Sequence, residues 1–136
     1  MAEAKKLREH EEEINRTKAR SKASKIWEQS VKPPTDHPYL LSKRVQSHGL
    51  KLSRGKLIVP LYDQNQVLQS LQFIGPDGEK RFLRGGLTKG CYFPIEGALD
   101  KILYIAEGFA TAATVHEVTG SAVAVAFYAN NLEPIA

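Results

Sequence analysis

The pattern of apolar and polar positions divides the chain into four parts, and the first of them is almost entirely polar. Residues 1–32 are mostly charged or small, and few carry a large apolar side chain: Leu7, Ile14, Ile26, Trp27 and Val31. This pattern is typical of a solvated helix with little to bury. We therefore predict a charged helical arm over residues 1–32 that contributes little to the core, with only Ile26 and Trp27 able to dock.

Prolines mark the next part, a connector over residues 33–54. Pro33, Pro34 and Pro38 have no backbone N–H, and each restricts the conformation of the residue before it. The helical arm is therefore expected to end before them, and the compact domain to begin after them.

Short β-rich runs alternate with turn sequences over residues 55–98. The runs are "KLIVPLYD", "VLQSLQFI", "EKRFL" and "CYFPI". In the turn "GPDG", Pro76 presets φ and Gly78 is free to adopt a positive φ. The pattern predicts an antiparallel β-meander.

A strand–helix–strand pattern fills residues 99–136. "ILYIAE" and "AVAVAF" are unbroken apolar runs, which predict two buried strands. Between them, "FATAATVHEVT" has helical spacing, and Gly120 suits the position after a helix. Two strands joined by a crossover helix are parallel. The predicted fold class is therefore mixed α/β.

Composition narrows the class of protein. The chain has 136 residues, of which 42% are hydrophobic, so it can form one domain with a core. No apolar stretch is long enough to cross a bilayer, and the N-terminus lacks the apolar segment of a signal peptide, so we expect a cytoplasmic protein with no membrane contact. Cys91 is the only cysteine, which excludes an internal disulfide; we expect a small buried side chain there.

An acidic residue, Glu107, follows the apolar run of the first strand predicted in residues 99–136. A glycine and the predicted helix come directly after it. In parallel α/β sheets, functional groups collect at the carboxyl ends of the strands. Glu107 is therefore a candidate catalytic residue. A carboxylate near a helix N-terminus is also favoured by the helix dipole alone, so both interpretations stay open.

Basic residues cluster in the predicted meander, and the net charge of the chain is +4. The candidates for contact with phosphates are Lys80, Arg81, Arg84 and Lys89, extended by Arg54 and Lys56. A solvated hairpin rim is the alternative explanation. The histidines show no metal-ligand spacing, and we assign no metal to them.

A family resemblance rests on several of these segments in order. "YIAEGFATAATVHEVTG" followed by "AVAVAF" resembles the first half of a Toprim domain, the metal-dependent module of bacterial-type primases and topoisomerases. "GKLIVPLYDQNQVLQSLQFIGPDGEKRFLRGG" and "KGCYFPI" resemble the region just upstream in primase cores. Over residues 25–136 the chain is similar to Toprim-containing primases and primase-helicases of phages and plasmids.

The resemblance implies a phosphoryl-transfer site for RNA primer synthesis in DNA replication. It gives Glu107 a role in acid/base chemistry or metal positioning, and it places Mg²⁺ on a later Asp-x-Asp pair. This sequence has no such pair, since only Glu117 and Glu133 follow Glu107. We therefore expect no complete metal site, Mg²⁺ only in a longer relative, and little catalysis by this chain alone.

The same resemblance suggests partners. Single-stranded DNA or nucleotides are expected to bind the basic meander, and a replication helicase is a possible protein partner. Two alternatives remain: a non-catalytic single-stranded DNA-binding module, and a phage or plasmid protein that inhibits a host protein such as a CRISPR-type defence nuclease complex. A reading frame that continues into an Asp-x-Asp segment favours the primase.

Overall fold

The structure is a computed structural model that describes residues 2–98, 102–128 and 131. It is mixed α/β, which confirms the predicted fold class. The helices are α1 (Ala2–Gln29), α2 (Pro38–Lys43) and α3 (Phe109–Thr119). The strands are β1 (Lys51–Ser53), β2 (Lys56–Tyr62), β3 (Leu68–Ile74), β4 (Lys80–Phe82), β5 (Phe93–Ile95), β6 (Tyr104–Ala106) and β7 (Val123–Val125).

The first four strands form an antiparallel sheet in the order β1-β2-β3-β4, as the meander predicts. Strand β1 lies within the predicted connector, so the sheet begins before residue 55. The turn between β3 and β4 closes through a hydrogen bond of 2.8 Å from the Gly75 N–H to the Glu79 carbonyl. Gly78 in that turn has a φ of 89°, which confirms the predicted hairpin.

The last three strands form a second sheet in the order β5-β7-β6. Strands β6 and β7 are parallel and joined by α3, which confirms the βαβ prediction. Strand β5 pairs with β7 in antiparallel fashion, so assigning "CYFPI" to the meander was wrong. Its buried Phe93 and Ile95 belong to the main core, which also contains β7 and α3 side chains. The two sheets are joined where Tyr62 and Tyr92 exchange two main-chain hydrogen bonds of 2.9 Å.

Strand β6 is less buried than its apolar run predicts. Its first residue, Tyr104, is 37% exposed, and Ile102 and Leu103, which precede the strand in the same apolar run, are 71% and 58% exposed. In the part of the chain that the structure describes, β6 pairs with β7 on one side only. An edge strand leaves side chains on its outer margin uncovered, whereas the central β7 is buried along its whole length.

Helix α1 is confirmed, but the prediction that it contributes little to the core was wrong. Ala19 and Ala23 are buried in a second core, against Ile58, Leu71 and Leu83 on the outer face of the four-stranded sheet. Small side chains let the helix approach the sheet closely, so tight packing needs no large apolar residue. Ile26 and Trp27 are partly buried there, as predicted.

The main core lies between the four-stranded sheet, the second sheet, α2 and α3. Fully buried side chains from different elements meet in it, among them Tyr39, Leu61, Phe109 and Val125. Cys91 is also fully buried, as expected. Among the described residues, no helix is both long and apolar enough to span a membrane.

Candidate functional site

The candidate site lies at the carboxyl ends of the parallel strands β6 and β7. Glu107 directly follows β6, its side chain is exposed, and its carbonyl accepts a hydrogen bond of 2.8 Å from the Phe127 N–H just after β7. Helix α3 begins two residues after Glu107. The structure thus places Glu107 at the position that the sequence predicts.

The N-terminus of α3 has no side-chain cap. Gly108 occupies the N-cap position, and its carbonyl accepts a hydrogen bond of 3.1 Å from the Ala112 N–H. The first N–H groups of any helix lack partners within the helix, and the helix dipole adds positive potential there. Glu107 therefore stands beside a region of positive potential.

A lysine from the other sheet reaches this region. A Cβ atom built on Gly108 would stand 3.5 Å from the Lys80 Nζ, so the absence of a side chain at Gly108 leaves room for the ammonium group. Strand alternation places Phe82 on the same face of β4 as Lys80. The Phe82 ring packs edge-on against Phe127, with 6.0 Å between centroids. Strand β4 and the ends of β6 and β7 therefore form one surface.

The other predicted cations do not all join Lys80. Arg81 lies on the opposite face of β4, next to the α1 side of the sheet, and pairs with Glu79 at 2.8 Å. Lys56 is the first residue of β2, whereas Lys89 lines a cleft near the other end of that strand. Arg54 lies in the β1–β2 turn, and Arg84 is exposed after β4.

Along the four-stranded sheet the basic candidates therefore lie near two opposite ends, although the loop that carries Lys89 is bonded to the end of β7. Lys80, Arg54 and Lys56 lie toward one end of the four-stranded sheet, since Leu57 pairs with Ile74 and Ile74 with Lys80. Lys89 lies toward the other end. Sequence proximity could not show this, because the segment after β4 crosses to the second sheet.

Asn131 is a site residue that the sequence did not single out. Its fully buried side chain accepts a hydrogen bond of 2.9 Å from the Gly90 N–H. Its amide nitrogen donates to the Thr88 carbonyl at 2.9 Å and to the Ala126 carbonyl at 3.0 Å. These bonds pin the loop that carries Lys89 to the end of β7. An asparagine in a polar segment gave no signal of this role.

The loop faces an open cleft of about 1110 Å³ between the β2–β3 turn and the second sheet. Lys89 and Tyr92 lie on one wall, with Asp63 and Glu96 also lining the cleft. The neighbouring Phe93 is buried in the main core instead. The lining of this cleft thus carries charges of both signs.

Asp63 is held by its own turn. Partial burial alone would raise the pKa of its carboxyl group, but hydrogen bonds from the Val67 N–H, the Gln69 amide and the Asn65 N–H, together with the Arg20 charge, outweigh burial and lower that pKa. The carboxylate is thus occupied by the fold rather than free for a ligand.

The described residues at this strand end include one candidate carboxylate for a metal ion, Glu107. Glu107 is a single exposed carboxylate, and among residues 2–98, 102–128 and 131 no group of three histidine, cysteine or acidic side chains is placed to hold a metal ion. Mg²⁺ in proteins is usually held by one or two carboxylates together with water and substrate phosphates.

The fold and the site together define a small mixed α/β protein with an acidic strand end beside a lysine. No protein-family model and no solved structure matches the chain. Two curated relatives from Escherichia coli, both named DNA primase TraC, are similar to it. One is 38% identical over 117 residues, 79% of this chain and 11% of the relative. The other is 37% identical over 113 residues, 78% of this chain and 8% of the relative.

The chain thus spans about a tenth of the length of the curated relatives it matches. The two alignments cover 79% and 78% of this chain. The chain is therefore related in sequence to a short segment of DNA primase TraC, in agreement with the resemblance to primases.

Proposed function

We propose that this chain is a nucleic-acid-processing module derived from a Toprim-type primase core, which makes RNA primers for phage or plasmid DNA replication when the core is complete. Similarity to DNA primase TraC supports the primase origin. The proposal rests on one observation: the Lys80 ammonium group lies next to Gly108, directly after Glu107 at the end of β6.

The chemistry of this arrangement suits phosphate. The Lys80 ammonium group and the uncapped start of α3 both favour an anion at the same place. Backbone N–H groups and a lysine are the usual protein partners of a nucleotide or DNA phosphate. The Glu107 carboxylate is exposed at the same strand end and would accept a proton in a complete phosphoryl-transfer site.

We expect the isolated chain to bind DNA without catalysing primer synthesis. The isolated chain supplies cations for a strand of DNA but one carboxylate for the reaction. We therefore propose that it binds single-stranded DNA in a salt-dependent manner and does not polymerise nucleotides by itself.

The test is a titration of labelled single-stranded DNA, followed by fluorescence anisotropy at several salt concentrations. Lys80→Ala should weaken binding and reduce the slope of log K against log salt by about 0.7, the effect of one phosphate contact on a single strand. Lys5→Ala, in the exposed start of α1, is the matched control and should change neither. An unchanged slope in Lys80→Ala, or no binding at low salt, would contradict the proposal.

A further inference from the structure

The segment of residues 45–50, which follows α2, is attached to the last turn of α3 through the Glu117 carboxylate. The Glu117 Oε2 accepts a hydrogen bond of 2.6 Å from the His48 Nε2. The same oxygen accepts a second one, of 3.1 Å, from the Gln46 N–H. Val45 and Leu50, on either side of this contact, are buried in the main core. The connector segment 45–50 is thus held at two buried ends and by Glu117 between them.

The connector adopts a backbone conformation that needs such support. His48 has a φ of 43° and Gly49 a φ of 89°, both in the left-handed region. A non-glycine residue occupies this region at an energetic cost, and it persists where surrounding contacts hold it. The hydrogen bond from His48 to Glu117 is such a contact.

A second imidazole lies against the first. The His48 and His116 rings are 5.0 Å apart and almost perpendicular, and the Phe109 ring is 6.5 Å from His48. The His116 Nδ1 lies 2.9 Å from the Ser121 carbonyl. Because a carbonyl only accepts, that nitrogen carries the proton, and protonation of His116 adds a positive charge facing His48.

This cluster contains one carboxylate, Glu117, and two imidazoles, those of His48 and His116. Partial burial would raise the pKa of the Glu117 carboxyl group, but the hydrogen bonds from His48 and the Gln46 N–H and the charges of both histidines outweigh it and lower that pKa. These two imidazoles are the charged groups that act on Glu117 from the described parts of both elements. One carboxylate can balance one imidazolium, so a second imidazolium is unbalanced.

We propose that His48, Glu117 and His116 form a pH-sensitive clasp that holds the 45–50 connector on α3. The clasp is closed when Glu117 is ionised and no more than one of the two imidazoles is charged. It opens in acid, where two imidazolium rings repel each other and a protonated Glu117 no longer attracts them. The proposal does not depend on any role in primer synthesis.

The test is amide hydrogen exchange of the full chain, followed by NMR between pH 7.5 and pH 4.5 and corrected for intrinsic rates. Protection of the Gln46 amide should fall at least tenfold over this range, while the amides of β2 and β3 keep theirs. Glu117→Gln and His48→Gln should each lower that protection at pH 7 and flatten its pH dependence. In His116→Gln the Gln46 amide should stay protected down to a lower pH, because the second positive charge is removed.

His10→Gln and Glu11→Gln, both in the exposed part of α1, are the matched controls and should leave the profile unchanged. The proposal is overturned if Gln46 loses protection only together with the β2 amides, which would indicate global unfolding. It is equally overturned if Glu117→Gln keeps the wild-type profile. Should that variant not fold, the same comparison is made with His48→Gln, which keeps a neutral N–H donor.

Discussion

The side-chain amide of Asn131 bonds main-chain groups from two separate segments, the Thr88–Cys91 loop and the end of β7. The Thr88 carbonyl also accepts a hydrogen bond of 3.0 Å from the Cys91 N–H. A main-chain group that loses its partner away from water costs more free energy than an ordinary hydrogen bond contributes. One polar residue thus fixes the loop that presents Lys89.

Asn131→Asp should destabilise the fold by about 2–4 kcal/mol, because the donating amide nitrogen is replaced by an oxygen that faces carbonyl oxygens. Urea unfolding followed by circular dichroism measures this. Asn65→Asp, in an exposed turn where only the Asn65 N–H is used, is the control and should change stability by less than about 0.5 kcal/mol. Equal stabilities for the two variants would show that the Asn131 bonds contribute nothing.

Asp63 should make stability depend on pH in acid. Its pKa is lowered in the folded state, as the hydrogen bonds from Val67, Gln69 and Asn65 outweigh partial burial. The stabilisation is therefore fully present above the ordinary carboxyl pKa and is lost as the pH falls through the lower, folded value. Asp63→Asn should reduce the acid dependence of the melting temperature. Asp36→Asn, at an exposed position, should not, and the prediction fails if both behave alike.

At the scale of elements, the periodicity of the sequence predicted the long helix, the hairpin and the βαβ unit. It missed the docking of α1 on the sheet. Ala19 and Ala23 allow this docking because their small side chains let the helix backbone approach the sheet closely. It also placed β5 in the wrong sheet, since a short apolar run carries no information about its pairing partner. Local pattern predicts an element, whereas long-range contacts decide its neighbours.

The docking of α1 predicts different effects for two truncations. The Asn15 Cβ of α1 lies 3.4 Å from the Cβ position of Gly85, in the loop that follows β4. Deletion of residues 2–12 should leave the melting temperature unchanged. Deletion of residues 2–22 should cost about 1–3 kcal/mol, because Ala19 is lost and the remaining helix is only about two turns long.

Calorimetry of both truncated chains measures the difference. Equal melting temperatures for the shorter and the longer deletion would show that the buried Ala19 contributes nothing to stability. A loss in the deletion of residues 2–12 would reveal a contact of the exposed segment.

At the scale of the whole molecule, the candidate site is shared between the two sheets. The sequence predicted Glu107 and Lys80 as separate candidates, but not their meeting, because the seating of one sheet on the other depends on contacts such as Phe82 with Phe127. The division of the basic residues was unpredictable for the same reason.

Primer synthesis tests the site as a whole. The 136-residue chain should make no primers with Mg²⁺ or Mn²⁺, and Glu107→Gln should leave its folding unchanged, since the Glu107 side chain is exposed. In a longer relative with an Asp-x-Asp segment, the change at the equivalent glutamate should abolish synthesis. Primer synthesis by the chain that disappears in Glu107→Gln would show that its site is complete.

The burial of Cys91 has a practical consequence. It is the only thiol of the chain, its Sγ lies 3.5 Å from the Leu87 carbonyl, and burial, with a smaller effect of the Asp63 charge, raises its pKa to about 11. Disulfide reagents attack the thiolate, so the native chain should react at neutral pH only in the moments when it opens. The rate of labelling then reports the free energy of opening at the centre of the molecule, and the native sequence provides this reporter without any substitution.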